Sequence, residues 1–144
     1  MAFLDDMALL LSGSTVAALP GGSTTSGWYM YKGMLPDSSA LPDKGIGLIE
    51  TAGAGVMERV QMEQPGLQMV VRGDQLNSTS TDVYATAAAK MNQARDVLAG
   101  YAGSSGSIGV HYLGIWCQNQ AFFGYDDTWR PIFISNFRVM KATS

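Results

Sequence analysis

The side chains best suited to chemistry in this chain are one histidine, one cysteine and an adjacent pair of carboxylates in a turn-like sequence. A histidine can act as a general base near neutral pH. His111, however, alternates with Val110 and Tyr112 in a strand-like run, and no spacing links it to a serine nucleophile or to a second metal ligand. We therefore interpret His111 as a structural or surface residue, with hydrolase chemistry as a remote alternative.

The adjacent carboxylates are Asp126 and Asp127, which follow Gly124 and Tyr125 in a turn-like sequence. A metal site or an acid–base pair would need further ligands or a shifted pKa. Aspartates in such turns usually accept hydrogen bonds from nearby backbone amides. The sequence therefore favours a turn or interface role for this pair, and cation binding is the alternative.

The single cysteine, Cys117, excludes an intrachain disulfide and a cysteine-rich zinc site. Because it lies in the apolar run 113–117, we expect a buried thiol. The glycine-rich stretches at 21–22 and 52–55 match neither the phosphate-loop nor the dinucleotide-binding spacing. The sequence thus predicts no catalytic residue, no metal and no cofactor, and we expect the protein not to be an enzyme.

Length and composition indicate one globular domain covering residues 1–144, with few charges. Charged residues make up 15% of the chain, against about 25% in an average domain. Low charge and nine methionines suit a surface that is covered by other subunits, because Met packs adaptably. A compositional habit of the source organism explains the same numbers equally well.

The charge pattern disfavours two classes of partner. The formal net charge is −3 and the basic residues are scattered, whereas a sequence-independent DNA-binding protein clusters them. The apolar N-terminus, residues 1–11, is too short to span a bilayer. It carries Asp5 and Asp6 in place of a basic leading region, so it does not resemble a signal peptide.

Apolar periodicity predicts two helices. Residues 2–12 repeat apolar side chains at helical spacing, with Asp5 and Asp6 in the first turn. The second helix lies between capping residues at 79–82 and Gly100. Its apolar residues recur at helical spacing and form a predicted buried stripe, and its polar residues form a predicted polar face on the other side. The stripe is Tyr84, Ala87, Ala88, Met91, Ala94 and Leu98, opposite Thr86, Lys90, Gln93 and Asp96.

Five segments have the composition or alternation of strands. They are residues 28–34, 46–51, 67–72, 108–117 and 132–140. Trp28 and Met30 are expected on one face of the first strand, and glycines in the fourth suit β-bulges. Residues 52–64 form a long connection or extend the neighbouring strands into a protruding hairpin. The order α-β-β-β-α-β-β predicts an α+β domain with an antiparallel (mixed) sheet and two helices packed on one face.

Two segments in this order resemble the phage minor capsid and tail-completion family. The first is PGLQMVVRG at 65–73, followed by a helix that opens with Tyr84 and closes with Val97 and Leu98. The second is GYDD at 124–127, followed by FISNFRV at 133–139. The resemblance covers about residues 65–140 and rests on the order and spacing of its motifs.

The resemblance implies a tail terminator of a long-tailed bacteriophage. Such a protein is a small α+β subunit of a hexameric ring that caps the tail tube, stops its polymerisation and joins the tail to the head connector. The implied partners are other copies of the chain, the tail tube protein and a head connector or closure protein, while DNA passes through the lumen without specific binding. The implied location is the virion tail or neck, after assembly in the host cytoplasm.

A ring closed by head-to-tail contacts needs two different adhesive surfaces on each subunit. Our candidate interface residues are charged groups of opposite sign: Arg72 and Arg138 are expected to meet Asp126 or Asp127 of a neighbour. The candidate segment for docking onto the tube or connector lies within residues 52–64. Its named members are Val56, Met57, Glu58, Arg59 and Met62.

Three alternative functions stay open at this stage. A head-closure or connector protein of the neck shares the size and the ring habit. A tail-tube subunit is disfavoured because tube subunits usually carry a longer sheet. From another class, a small-molecule-binding α+β domain would place Trp28, Trp116 or Trp129 around an apolar pocket.

Overall fold

Two helices and five strands follow one another in the predicted order α-β-β-β-α-β-β. The structure is a computed structural model that describes residues 3–14, 16–19, 27–33, 35–36, 43–57, 62–76, 82–102 and 112–142. The elements share one α+β domain. They are α1 (Phe3–Gly13), β1 (Tyr29–Lys32), β2 (Gly45–Met57), β3 (Met62–Arg72), α2 (Val83–Leu98), β4 (Tyr112–Tyr125) and β5 (Pro131–Ala142).

The five strands form one mixed sheet in the order β1-β2-β3-β5-β4. The β1 strand pairs with β2 in parallel, whereas the other three neighbouring pairs are antiparallel. Because parallel neighbours cannot be joined by a tight turn, the chain after β1 needs a crossover connection, which we call the crossing, before β2 begins. The Leu35 side chain lies against Gly45 and Gly47 of β2 on this path, where a Cβ would come within 2.9 and 3.2 Å of it.

One face of the sheet, the helix face, carries the core. Alternate residues of β2, β3 and β5 are buried there and share one apolar cluster with residues of both helices. In β5 the alternation is regular, since Phe133, Ser135, Phe137 and Val139 are all buried. The Ser135 hydroxyl donates to the Met91 sulfur of α2 at 2.8 Å. This contact fixes the height at which α2 lies over β5.

The α2 helix begins and ends close to where its sequence predicts. Asp82 is the N-cap, and its carboxylate accepts a hydrogen bond from the Ala85 amide at 3.0 Å. The chain leaves the helix through Gly100, whose φ of 84° favours glycine. The predicted stripe is buried at Ala87, Met91, Ala94 and Leu98, but Tyr84 at its N-terminal end is exposed.

Lys90 was predicted on the polar face of α2, and this prediction is wrong because its side chain is buried. Its ammonium group donates to the Val16 carbonyl at 2.9 Å and to Gln93 Oε1 at 2.8 Å. It also lies 5.5 Å from the ring centroid of Trp28. Burial, and secondarily the charge of Lys44, lowers the pKa of Lys90. Lys90 therefore anchors the segment after α1 to α2.

Residues 52–57 and 62–64 extend β2 and β3, so the hairpin interpretation is confirmed and the long-loop interpretation is wrong. Pairing continues to Met57 opposite Met62. The register shifts between Thr51 and Gly55, opposite Pro65, because proline lacks the N–H that a regular ladder needs. The hairpin does not stand alone, since β5 runs beside β3 as far as Ala142.

The β4 strand is longer than predicted and forms an edge of the sheet. It continues through residues 118–125, so Gly124 and Tyr125 of the turn-like sequence belong to the strand and the turn comprises residues 126–130. Its register against β5 shifts at Leu113, Gln118 and Phe123. Each of these residues is an extra one opposite β5 and is exposed. Of these three bulges, only the one at Leu113 is next to a glycine of the predicted fourth strand, Gly114.

Cys117 and the tryptophans differ in burial. The Cys117 thiol is half-buried against the core, contrary to the fully buried thiol that we expected. Trp28 is buried together with Met30, as the alternation of β1 predicts, whereas Trp116 and Trp129 are exposed. No helix in the described ranges is both long and apolar enough to cross a membrane.

Candidate interaction surface

Exposed aromatic side chains gather at one end of the sheet. We call this patch the aromatic end and define it as Leu76, Tyr84, Phe122, Phe123, Tyr125 and Trp129. Neighbouring ring centroids are close: 5.0 Å between Tyr84 and Phe122, 5.5 Å between Phe122 and Tyr125, and 6.1 Å between Tyr125 and Trp129. Four of the rings are therefore connected in series, while the Leu76 backbone is joined to that of Trp129 and Phe123 follows Phe122 in the chain.

Three elements position the aromatic end. The cap at Asp82 fixes the first turn of α2 and with it Tyr84. Phe122 lies opposite Phe133 in the β4–β5 pair, and both rings contact Tyr84 at about 5 Å. Phe123 is the bulged residue that follows, and 75% of it is exposed. The bulge thus turns an additional aromatic side chain to solvent.

The β4–β5 turn is held rigid by Asp126. Its carboxylate accepts hydrogen bonds from the amide and hydroxyl of Thr128 and from the amide and guanidinium of Arg130, at 2.7 to 3.1 Å. Burial alone would raise the pKa of Asp126, but these bonds and the charge of Arg130 hold it below its usual value. The turn is therefore organised before any partner arrives.

Trp129 occupies a left-handed backbone conformation in this turn, with φ of 62°. Non-glycine residues rarely adopt it, and such strain is stable only where surrounding contacts hold the backbone. Here the Trp129 amide donates to the Asp126 carbonyl at 3.0 Å, and the Trp129 carbonyl accepts from Leu76 at 2.9 Å. The result is an indole that is 61% exposed on a fixed backbone.

The exposed area of the aromatic end is at the upper limit for the largest apolar patch of a monomer. With about 200 Å² for a large aromatic side chain, the exposed fractions of its members correspond to roughly 600 Å² of apolar area. That is near the top of the ~300–600 Å² found for the largest patch of a typical monomer. It approaches the ~800 Å² that one partner contributes to a standard protein interface.

Two of the predicted interface residues, Arg72 and Asp126, lie in one network within the chain. The buried Arg72 guanidinium donates to the carbonyls of Asp43 at 2.7 Å and Pro36 at 3.0 Å. The Asp43 carboxylate in turn accepts from Arg130 at 3.2 Å, and Arg130 binds Asp126. Arg72 thus stabilises the crossing between β1 and β2, and both residues are engaged inside their own subunit.

The other two predicted interface residues are exposed and far apart. Asp127 lies at the tip of the β4–β5 turn, beside the aromatic end, and forms no ion pair with any described residue. Arg138 is exposed on β5, on the sheet face opposite the helices, which we call the outer face. Arg138 lies seven positions after Pro131 along β5, which corresponds to a distance of about 23 Å. Asp127 and Arg138 of one subunit therefore cannot pair with each other.

The outer face around Arg138 combines an indole with hydrogen-bonding groups. Trp116 is the cross-strand partner of Arg138 and is 48% exposed. Its ring folds over Gly114, where a Cβ would come within 2.8 Å of the indole. Arg138 donates to Gln64 Oε1 at 2.6 Å. The ring therefore lies along the strand and leaves one side of the indole open.

A row of amide side chains crosses the outer face beside this indole. Gln68 of β3 donates to Asn136 of β5 at 3.3 Å, and Asn136 donates to Asn119 of β4 at 2.8 Å. Half-buried apolar residues flank the row on β3 and β5; they are Val70, Ile134 and Met140. Trp116, Arg138 and Met140 beside this row are of the residue types that are enriched at protein interfaces.

The predicted docking segment lies only partly within the described residues. Val56, Met57 and Met62 belong to the paired ends of β2 and β3. Glu58 and Arg59 lie outside the described residues, as does His111. The described members of the segment, Val56, Met57 and Met62, therefore lie at the end of the sheet distant from the β4–β5 turn.

Two buried polar side chains away from these surfaces contact each other. Tyr112 donates to Asp6 Oδ2 at 2.6 Å, and both side chains are fully buried between α1 and β4. Burial, followed by the hydrogen bond and charge of Asp6, raises the pKa of Tyr112 well above its usual value, so the hydroxyl stays a donor. Within the described parts of the chain, no group of three or more His, Cys, Asp or Glu side chains is arranged to hold a metal ion.

No protein-family model matches this chain, and no curated protein shows significant similarity to it.

Sequence reasoning missed Leu76, Tyr84 and the Phe122–Phe123 pair as surface residues. The alternation of apolar residues looks the same for a covered and an uncovered face, so nothing local marks them as exposed. A signal for the turn was present. An Asp followed two residues later by Thr and four residues later by Arg, at 126, 128 and 130, has the spacing of an aspartate-capped turn.

Proposed function

We propose that this chain is a structural virion protein of a long-tailed bacteriophage, a tail terminator whose copies form a ring on the tail tube. The observation that carries the proposal is the aromatic end, roughly 600 Å² of exposed apolar surface on a preorganised turn. Adhesion to another protein accounts for such a surface. The tail-completion motifs at 65–73 and 124–139 supply the virion context.

The arrangement suits a ring because the two adhesive regions differ in chemistry and in place. The aromatic end lies at the β4–β5 turn, whereas Trp116, Arg138 and the amide row lie on the outer face. Head-to-tail contacts between unlike surfaces close into rings when the rotation per subunit fits. A hexamer is the ring size that the family resemblance implies.

The distant end of the hairpin is the region we assign to the tail tube or the head connector. There β2 and β3 reach Met57 and Met62, beyond the stretch of β2 that pairs with β1. Removing this end should leave ring formation intact and abolish attachment of the ring to tails. Tails of normal length that still join heads, made with a chain lacking residues 53–63, would contradict the assignment.

Localisation in the virion tests the function most directly. Antibodies raised against the purified full chain are applied to virions, to isolated tails and to isolated heads, and gold label is located by electron microscopy. We expect label at the head-proximal end of tails. In parallel, negative-stain images of the purified chain are expected to show an annulus with six-fold symmetry.

The same experiment separates the competing functions. Label on heads and none on isolated tails would assign the chain to head closure. Label along the whole tail would make it a tube subunit. A chain that is monomeric at all concentrations and absent from virions would refute a structural virion role.

A further inference from the structure

We propose that the β4–β5 turn of one subunit docks on the outer face of the next, with Trp129 and Asp127 meeting Trp116 and Arg138. This inference rests on the proposed ring and names the two surfaces that would close it. The occupant is a second copy of this chain. The contact is head-to-tail, so each subunit presents its turn to one neighbour and its outer face to the other.

Matching patterns of ring and charge point to this pairing. On the turn, an exposed indole and an exposed carboxylate lie two residues apart, at Trp129 and Asp127. On the outer face, an exposed indole and an exposed guanidinium are cross-strand partners, at Trp116 and Arg138, with Cβ atoms about 5 Å apart. Each surface therefore offers one aromatic ring beside one charge, and the charges have opposite sign.

Among the four predicted interface residues, the charges that remain available favour this combination. Arg72 and Arg130 are engaged with Asp43 and Asp126 inside the subunit. Asp127 has no ion-pair partner among the residues described, and the side-chain partner of Arg138 is the neutral Gln64. Pairing across subunits would neutralise both charges without breaking any internal ion pair.

Preorganisation of both surfaces makes the contact plausible energetically. Asp126 fixes the turn, and Gly114 lets the Trp116 ring lie along the strand. Rigid aromatic side chains lose little conformational freedom on binding, so more of the contact energy appears as affinity. The roughly 600 Å² of the aromatic end compares with the ~800 Å² of total surface, polar and apolar, that one side of a standard interface buries.

Charge reversal tests the pairing with three variants of the full chain. D127K places a lysine against Arg138, and R138E places a glutamate against Asp127. Each alone should raise the dissociation constant between subunits at least about 100-fold, because like charges oppose each other across the contact. The D127K/R138E double variant restores opposite charges and should assemble like the unchanged chain.

Mixing the two single variants distinguishes a head-to-tail ring from a two-fold dimer. In an equimolar mixture, each variant's turn complements only the other variant's outer face, so a ring must alternate strictly. Native mass spectrometry should show closed rings with equal numbers of the two variants. Mixed dimers alone, or failure of both the mixture and the double variant to assemble, would overturn the proposal.

A second variant separates adhesion from folding. Because Trp129 has a positive φ that glycine adopts without strain, W129G should leave the free energy of unfolding unchanged or slightly higher. It should nevertheless raise the dissociation constant about 30-fold or more, as loss of an interface tryptophan does. Unchanged assembly of W129G would remove Trp129 from the contact.

These outcomes are independent of the virion test. Charge variants that assemble normally, combined with gold label on tails, would overturn the contact and leave the proposed function standing. Absence of the chain from virions, combined with the expected rescue by the double variant, would retain the contact and refute the tail function.

Discussion

Neutralising Asp126 should destabilise the protein far more than neutralising its neighbour Asp127. The Asp126 carboxylate accepts four hydrogen bonds, two of them from the buried Arg130. In D126N the oxygen that remains can accept only part of this set, and Arg130 loses the Asp126 carboxylate while that of Asp43 stays. Hydrogen bonds to charged groups contribute about 1.5–3 kcal/mol each, and their losses within one network are not additive.

From these contacts we expect D126N to lower the free energy of unfolding by about 2–4 kcal/mol. The matched control is D127N, which removes the same charge from an exposed side chain and should change it by less than about 0.5 kcal/mol. Urea denaturation at pH 7, followed by circular dichroism, measures both. The protein concentration must be low enough to dissociate any oligomer, because assembly adds to apparent stability.

The same substitution has a defined pH dependence. The pKa of Asp126 in the folded protein lies below its unfolded value near 3.8, so its contribution is complete above that value. As the pH falls through the folded pKa, the contribution is lost. The stability difference between the unchanged chain and D126N should therefore narrow below about pH 4. Equal effects of D126N and D127N, or a difference that persists at pH 2, would refute this account of the turn.

Two further predictions concern the core. A Cβ at Gly73 would lie 3.1 Å from the Cβ of an α2 alanine, so G73A should cost about 1–3 kcal/mol in urea denaturation. G13A meets nothing within 4 Å and should be neutral or stabilising in the same assay. Y112F removes the donor to the buried carboxylate of Asp6 and should cost about 1–3 kcal/mol, measured in the same way. Y101F is its control. An equal loss of unfolding free energy for G73A and G13A, or for Y112F and Y101F, would contradict the packing described.

The helices and the order of elements along the chain were predictable because their signals are local. The cap at Asp82 and the alanine-rich periodicity before Gly100 define α2 without reference to the rest of the chain. The alternation of residues 132–140 likewise defines β5. The sequence also suggested that 52–64 extend the flanking strands, which the pairing of Met57 with Met62 confirms.

The pairing of strands depends on contacts that no local pattern specifies. The parallel pairing of β1 with β2 requires a crossing held by Arg72, whose partners are backbone carbonyls of Pro36 and Asp43. Lys90 was assigned to the polar face of α2 because lysine is rarely buried. Its burial depends on the Val16 carbonyl, which is 74 residues away in the sequence.

At the candidate site, too, the sequence alone could not predict which contacts single residues make. Asp126 and Asp127 are adjacent and chemically identical, and the sequence analysis gave them one shared role. Only the geometry of the turn separates them, because it directs Asp126 towards Arg130 and leaves Asp127 exposed. Arg72 and Arg138 are likewise chemically identical but differ in surroundings, because the crossing between β1 and β2 covers Arg72 and leaves Arg138 exposed.

The bulges of β4 connect the exposed aromatic residues to the mode of assembly. An edge strand with a regular ladder would invite another strand to pair with it without limit. In β4 the ladder to β5 shifts at Leu113, Gln118 and Phe123, so no long regular stretch is presented to an incoming strand. Adhesion at this edge must then come from side chains, which recognise one geometry. A head-to-tail contact of that kind, as in the proposed ring, closes when the rotation between subunits fits and otherwise continues as an open filament.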